Sequence, residues 1–313
     1  MTDFMKICIL EPQDYSPESV AVYKSLGEVS TNHIDRTTAD IIVIRLAHKL
    51  TKDFLNECKN LKIIACPTTG LDHIDLVECE KRGIRVVSLK GETKFLETIT
   101  ATAELAWGLL LSLVRTIPHA HHDVVFNKNW NRDLWKGHEL KDKKLGILGF
   151  GRLGKIVAEY GTTFGMEVLA NDPNVDFETI SSRNVTPVSF DELFKNSDIL
   201  SIHIPLNEGT TKLIGADEFK LMKPTAYLIN TSRGEVLDET ALVQALENKQ
   251  ITGAGIDVMT AEHANGEFLK NNPLIAYAAK HTNLLISPHI GGATHDSMAK
   301  TEIFIANKVR QLV

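Results

Sequence analysis

Cysteine is scarce in this chain, and all four residues, Cys8, Cys58, Cys66 and Cys79, fall in its first quarter. None belongs to a CxxC pair, and Cys8 and Cys66 sit in apolar, strand-like runs. That pattern predicts buried reduced thiols, not disulfides or a metal centre. The cluster His119, His121, His122 has no neighbouring ligand except Asp123, so no metal is expected there either. Positive charge is not in excess: a net charge of −6 argues against the basic face that a nucleic-acid partner requires. Long hydrophobic runs are missing too. The apolar stretch 105–114 is too short for a bilayer and ends at Arg115, and residues 5–10 are too short for a signal peptide and run into Glu11 and Pro12. A cytoplasmic protein, with neither membrane nor nucleic acid as partner, is expected.

What is present describes an ordinary globular protein, with 43% hydrophobic and 24% charged residues. At 313 residues the chain exceeds one typical core, so about two domains are predicted. Strand-like runs at 6–10, 40–44, 62–66 and 84–88 alternate with helix-like runs at 17–25, 51–58 and 74–82, which implies a parallel sheet covered on both faces. After a break at Gly91-Glu92 comes a helix over 98–115, apolar nearly all round and therefore buried at a domain or subunit interface. The polar segment 118–141 carries Trp130 and Trp135 and reads either as a dimer arm or as a surface loop pinned by its tryptophans. Alternation then resumes with strands at 145–148, 167–170, 199–204, 226–230, 253–258 and 284–287, a helix over 238–248 capped by Asp238, and a last helix beyond Thr294. The predicted fold is α/β, with two doubly wound parallel-sheet domains. A Rossmann domain, 98–292, is inserted into a flavodoxin-like domain made of 1–97 and 293–313, and about 98–140 supplies a dimerisation helix and arm.

The most specific local signal is Gly149-Phe150-Gly151-Arg152-Leu153-Gly154, which follows the run Leu145-Gly146-Ile147-Leu148 and opens a helix-like run over 155–164. This strand–turn–helix setting is what a dinucleotide site requires. The first glycine permits a tight turn, the second lets backbone approach a pyrophosphate, and the third lets helix pack on strand. The helix N-terminus supplies unpaired N–H groups and partial positive charge. Asp172, eighteen residues past Gly154 at the end of the run Val168-Leu169-Ala170, suits both ribose hydroxyls of NAD and would repel the 2′-phosphate of NADP.

Ligands of doubly wound sheets bind beyond the carboxyl ends of strands. Arg233, Glu262 and His289 all fall at such ends. Singly, each has an ordinary explanation as a solvated or structural residue. Together they match the reduction of a 2-oxo acid by NADH, which needs a cation for the carboxylate and developing oxyanion and an acid to protonate that oxygen. Arg233 has the planar fork that suits a carboxylate. An imidazole such as His289 holds or releases a proton near neutrality. Glu262, paired to it, would orient the ring and favour its charged form. In reverse, His289 would act as general base.

Here the chain resembles the D-isomer-specific 2-hydroxyacid dehydrogenases, which include phosphoglycerate, glycerate and D-lactate dehydrogenases. The likeness rests on ordered motifs: Thr69-Gly70-Leu71-Asp72-His73-Ile74-Asp75, the glycine fingerprint, His203-Ile204-Pro205-Leu206, Asn230-Thr231-Ser232-Arg233-Gly234, Asp257-Val258 followed by Glu262, and Ser287-Pro288-His289-Ile290-Gly291-Gly292. The resemblance implies an NAD-dependent enzyme with Arg233, Glu262 and His289 catalytic, and the apolar helix over 98–115 with the segment after it points to a homodimer. Beside the fingerprint glycines Gly149, Gly151 and Gly154, the resemblance implies cofactor contacts from the main chain of Arg152 and Leu153, Asp172, Thr231, Ser232, Arg233, Asp257, His289, Gly291 and Gly292. His203 and Pro205 wall the adenosine pocket or simply form a strand-end turn. Asp257 would accept from the nicotinamide carboxamide. Thr69 and Gly70 match the loop whose amides hold the substrate carboxylate in relatives, where small residues permit close approach. Arg45, with Lys49, matches the region where phosphoglycerate-using members bind the substrate phosphate, although a solvated cationic turn explains both equally well. Relatives usually place proline after the catalytic glutamate, where this chain has His263. The acid itself stays open among 3-phosphoglycerate, glycerate or hydroxypyruvate, glyoxylate, lactate and sugar acids. Glu262 argues against the related formate dehydrogenases, which pair the histidine with glutamine. An NAD(H)-sensing corepressor-like interaction protein of the same fold is the alternative reading.

Overall fold

The computed structural model describes residues 4–262 and 266–313, so His263 lies outside the described residues. They form two compact units, Met1–Ile99 with Ala293–Val313, and Thr100–Gly292.

The first unit runs β1 (Met5–Ile9), α1 (Pro17–Leu26), β2 (Gly27–Ser30), β3 (Ile41–Val43), α2 (Lys52–Glu57), β4 (Ile63–Cys66), α3 (Leu76–Lys81), β5 (Arg85–Ser88) and α4 (Thr93–Leu96). Its five strands are all parallel in the order β2-β1-β3-β4-β5, the flavodoxin-like winding. Successive strand residues point to opposite faces. Ile7, Ile9, Ile41, Val43 and Ile63 therefore pack with Tyr23 on one side, while Cys8, Ile42, Ile44, Ile64 and Cys66 pack with Leu50 and Leu55 on the other. Two buried faces explain why these strands read as continuous apolar runs. All four cysteines are buried and unpaired. Burial pushes the Cys66 thiol up to about 11.

The second unit contains α5 (Ala101–Val114), α6 (Ile117–Phe126), β6 (Lys144–Leu148), α7 (Arg152–Thr163), β7 (Glu167–Asn171), α8 (Phe177–Ser181), β8 (Thr186–Pro187), α9 (Phe190–Asn196) and β9 (Ile199–Ile202). It continues through α10 (Ala216–Leu221), β10 (Tyr227–Asn230), α11 (Glu239–Glu247), β11 (Gly253–Ile256), α12 (Pro273–Ala278) and β12 (Leu284–Ile286). The parallel order β12-β11-β10-β9-β6-β7-β8 is a Rossmann sheet with one added strand, and its chain order reverses beside β6. α5 and α7 cover one face through Leu109, Leu113 and Val157, and the other face packs on Leu193, Phe219 and Leu242. The final helix, α13 (His295–Arg310), returns to the first unit, where Ile305, Ala306 and Val309 join its core.

Four expectations need correction. β2 escaped notice because Gly27-Glu28-Val29-Ser30 lacks an apolar run; Gly27 fits because a Cβ there would lie 1.9 Å from the Met5 carbonyl oxygen. The helix expected over 98–115 is α5 alone, and α4 is a separate turn before it. The polar segment 118–141 contains α6, whose Pro118 sits in the first turn, where a missing N–H costs nothing. The apolar stretch is also longer than expected: Thr93–Val114 is long and apolar enough to cross a membrane by length and composition alone. Eight of the fourteen α5 residues are nevertheless buried in the second unit.

Candidate active site

β6 ends at Leu148, and the chain turns through Gly149, whose φ of +93° lies in the left-handed region that favours glycine. A Cβ at Gly149 would also lie 2.8 Å from the His203 carbonyl carbon. At Gly154 a Cβ would lie 2.1 Å from the Gly149 carbonyl oxygen, so this glycine lets α7 sit on its strand. Gly151, the N-cap of α7, has ordinary extended backbone and nothing within 4 Å of a Cβ. Nothing inside the protein demands glycine there, but a pyrophosphate approaching the first turn of α7 would. Asp172 accepts from the Phe150 N–H through Oδ2 (2.8 Å) and from the Asn174 N–H through Oδ1 (2.9 Å), so its carboxylate is anchored to the fingerprint loop. Buried Thr231 has a hydroxyl without a protein partner, a group that a bound ligand can satisfy. These features fit NAD.

The glycines make a prediction. Gly154→Ala should destabilise the fold by about 1–3 kcal/mol through overpacking. Gly151→Ala should leave the unfolding midpoint nearly unchanged, because a Cβ there meets nothing within 4 Å. It should weaken NADH binding at least about tenfold, since the methyl would stand in the path of a pyrophosphate at the first turn of α7. Thermal melts and NADH titrations check both, and equal loss of Tm in the two variants would refute the distinction.

Glu262 and His289 meet. Nδ1 of the imidazole lies 2.5 Å from Glu262 Oε1, and both side chains are 30% exposed. His289 has φ +52°, and Ala261, directly before Glu262, has φ +56°. Left-handed backbone at two non-glycine residues stores strain, which the surroundings must enforce. For His289 the enforcing group is Asp257. Its carboxylate, only 1% exposed, accepts from Ser287 Oγ (2.6 Å), Ile290 N–H (2.9 Å) and Gly291 N–H (2.7 Å), while its carbonyl accepts from His289 N–H (2.8 Å). Burial pushes the Asp257 carboxyl above its ordinary range, with these donors pulling the other way. Two of its oxygens' three bonds go to the main chain beside His289, an anchoring role that the sequence does not reveal.

Arg233 follows β10 and is half-buried, with Nη1 donating to the Ser232 carbonyl (2.7 Å). Its loop is organised by Asn230, which is fully buried and which sequence reasoning passed over. The Asn230 amide donates to the Arg233 carbonyl (3.0 Å), and its Oδ1 accepts from Ser232 N–H (3.0 Å) and Ser232 Oγ (2.7 Å). The signal available was a polar residue ending an apolar strand, which must find partners. The Asn230 carbonyl accepts from Asp257 N–H (2.9 Å), so the Arg233 and Asp257 loops leave adjacent strands, β10 and β11, and the His289 loop leaves β12, the next strand beyond β11. His203, at the end of β9, bonds Ser201 Oγ through Nε2 (2.9 Å), and burial pushes its imidazole down to about 4. It is therefore neutral at pH 7.

Thr69, Gly70 and Arg45 belong to the first unit. Thr69 is exposed beyond the end of β4, and the loop is braced by Thr68 Oγ1 donating to the Gly70 carbonyl (2.8 Å). Arg45 is drawn inward. Nε lies 2.9 Å from Glu302 Oε1, both terminal nitrogens lie 3.1 Å from the Gln13 carbonyl oxygen, and the guanidinium sits 4.9 Å from the Tyr15 ring centre. Glu302 is 1% exposed, so Arg45 neutralises a buried carboxylate, a role that neither a solvated turn nor a phosphate site had suggested.

Comparison with known proteins agrees with this geometry. A model of the NAD-binding domain of D-isomer specific 2-hydroxyacid dehydrogenases matches residues 107–291. Hydroxypyruvate reductase of Thermotoga maritima is 32% identical over 311 residues, covering 97% of both chains. Glyoxylate reductase of Thermococcus litoralis is 39% identical over 264 residues, covering 82% of this chain and 76% of that one. D-lactate dehydrogenase of Aquifex aeolicus, solved with NAD and lactic acid, matches with a TM-score of 0.83 at 30% identity, over 98% of this chain and 95% of that one. The chain therefore belongs to the D-isomer-specific 2-hydroxyacid dehydrogenases, oxidoreductases that use NAD to interconvert a 2-hydroxyacid and its 2-oxoacid.

Proposed function

We propose that Arg233, Glu262 and His289 carry this reaction and that its substrate is a short, unphosphorylated 2-oxoacid such as hydroxypyruvate or glyoxylate. The observation that carries the catalytic reading is the Nδ1–Glu262 contact of 2.5 Å. With Nδ1–H donating to the carboxylate, Nε2 remains to give a proton to the substrate oxygen during reduction and to take it back during oxidation. The Arg233 guanidinium holds the substrate carboxylate and offsets negative charge developing on the oxygen. Bound NADH supplies the hydride. Gly149, Gly151, Gly154 and the amides of Arg152 and Leu153 would receive its pyrophosphate, and Asp172 its ribose hydroxyls. His203 and Pro205 would border the adenosine, with Thr231, Ser232, Asp257, Gly291 and Gly292 towards the nicotinamide.

Residues 1–97 and 293–313 would serve as the substrate domain, with Thr69 and Gly70 contributing there, and 98–292 as the cofactor domain. Arg45 bears on the substrate class. Its charge is offset by Glu302 and its donors are engaged, so a phosphate dianion would have to displace a buried ion pair. The relatives named above are a hydroxypyruvate reductase, a glyoxylate reductase and a D-lactate dehydrogenase, all named for unphosphorylated acids. A homodimer through the segment 98–140 is supported by an arm that Asp123 clamps, accepting from Asn127, Asn129 and Trp135. Trp135 is thereby pinned, while Phe126 (67% exposed), Trp130 (89%) and Leu134 (60%) are left to pack elsewhere. Unpaired cysteines and NAD chemistry support a cytoplasmic location. None of the comparisons named favours the corepressor-like alternative.

The test follows NADH or NADPH oxidation with glyoxylate, hydroxypyruvate, pyruvate and the phosphorylated analogue of hydroxypyruvate. The unphosphorylated acids should be preferred, and NADH should exceed NADPH in kcat/KM by about 10²-fold, as expected when a 2′-phosphate meets Asp172. Preference for the phosphorylated acid, or parity between coenzymes, would overturn the respective assignment.

A further inference from the structure

Glu262 has no strand or helix of its own to hold it, and the residue before it is strained, so something must fix this loop. The fixing groups come from the segment just after Arg233. Gly234 packs so closely on the Glu262 loop that a Cβ there would lie 2.1 Å from the Met259 carbonyl carbon and 2.3 Å from the Thr260 nitrogen. Two carboxylates flank this contact. Glu239 Oε1 accepts from the Thr260 N–H (2.5 Å), and Glu235 Oε1 accepts from the Ala261 N–H (3.3 Å). These are consecutive main-chain donors, and the second belongs to the residue at φ +56°.

The segment that carries the carboxylates is itself rigid. Val236 and Leu237 are 0% and 3% exposed, and the main chain is tied to a neighbouring stretch by Lys212 N–H to Glu235 O (2.7 Å), Ile214 N–H to Val236 O (3.2 Å) and Asp238 N–H to Ile214 O (2.9 Å). Glu239 is not needed to cap α11, because Asp238 already accepts from the Ala241 N–H (3.0 Å). Both carboxylates reach away from their own element to the main chain that leads into Glu262.

We propose that Glu235 and Glu239 are positioning residues, a two-carboxylate clamp that holds the Glu262 loop in register with the Arg233 segment and so aims Glu262 at His289. This rests on the catalytic reading above. Neither carboxylate touches substrate. Without them Ala261 would relax out of the left-handed region, and Glu262 would leave the imidazole. A displacement of about 1 Å at such a pair costs on the order of 10²-fold in rate.

The test measures kcat and KM for hydroxypyruvate, and the Kd for NADH, in E239A, E239Q, E235A/E239A, E262Q and the triple variant. E239A should lower kcat about tenfold and E235A/E239A about 10²-fold, with NADH Kd changed less than about twofold. E239Q, whose amide oxygen still accepts the Thr260 N–H, should keep at least about half of kcat. Because the clamp acts only through Glu262, adding E235A/E239A to E262Q should lower kcat by no more than about twofold. A fully additive cycle, an E239Q as impaired as E239A, or an unimpaired E235A/E239A would overturn the clamp. Should E235A/E239A fail to fold, E239A against E239Q in the E262Q background decides the same question. A wild-type protein that reduces no 2-oxoacid, or an unimpaired E262Q, would defeat the catalytic reading instead.

Discussion

His289→Asn is expected to lower kcat for 2-oxoacid reduction by about 10³-fold, within the range that loss of a general acid produces. Asparagine is the informative replacement because it tolerates left-handed backbone at least as well as histidine does. The loop at φ +52° should therefore keep its path, with Asp257 still holding Ile290 and Gly291. Asparagine can hydrogen-bond but cannot exchange a proton near neutrality, so the chemical step alone should suffer. Thermal unfolding and NADH affinity should stay close to wild type. Stopped-flow single turnovers would separate chemistry from release. A loss smaller than about tenfold would remove His289 from the proton path.

Arg233→Ala is expected to lower kcat/KM for the 2-oxoacid by about 10³-fold, because a substrate carboxylate would lose its charged partner, a change worth about 2–5 kcal/mol when water is excluded. Arg233→Lys should recover little of this, since an ammonium cannot present two parallel donors to one carboxylate. Guanidinium ion added to Arg233→Ala should restore part of the rate and do nothing for Arg233→Lys. The Asn230 bonds to the loop run through main chain and Ser232, so neither variant should disturb them. A lysine variant near wild-type efficiency would show that charge alone, without the fork, suffices.

Much of this architecture is legible along the chain because its signals are local. Strands buried on both faces appear as short apolar runs, and the helices between them carry Asp238 and similar caps. The fingerprint glycines need only a strand before and a helix after to be interpreted. β2 and α6 were illegible for equally local reasons. An edge strand of four residues has no apolar pattern to show, and α6 hides its helical periodicity behind three histidines and an initial proline.

Residue types and their order sufficed for the class of reaction, since Arg233, Glu262 and His289 each lie in a loop that follows a strand, in a chain that also carries a dinucleotide loop. What those residues touch required the folded molecule. Glu262 and His289 are 27 positions apart, Asp257 and Gly291 34, and Arg45 and Glu302 257. No propensity or spacing rule spans such separations, because a hydrogen bond between distant residues exists only once the sheet has set the distance between their loops. The anchoring by Asp257, the left-handed turn at His289 and the inward pairing of Arg45 are consequences of that geometry, and it is there that the chemistry acquires its precision.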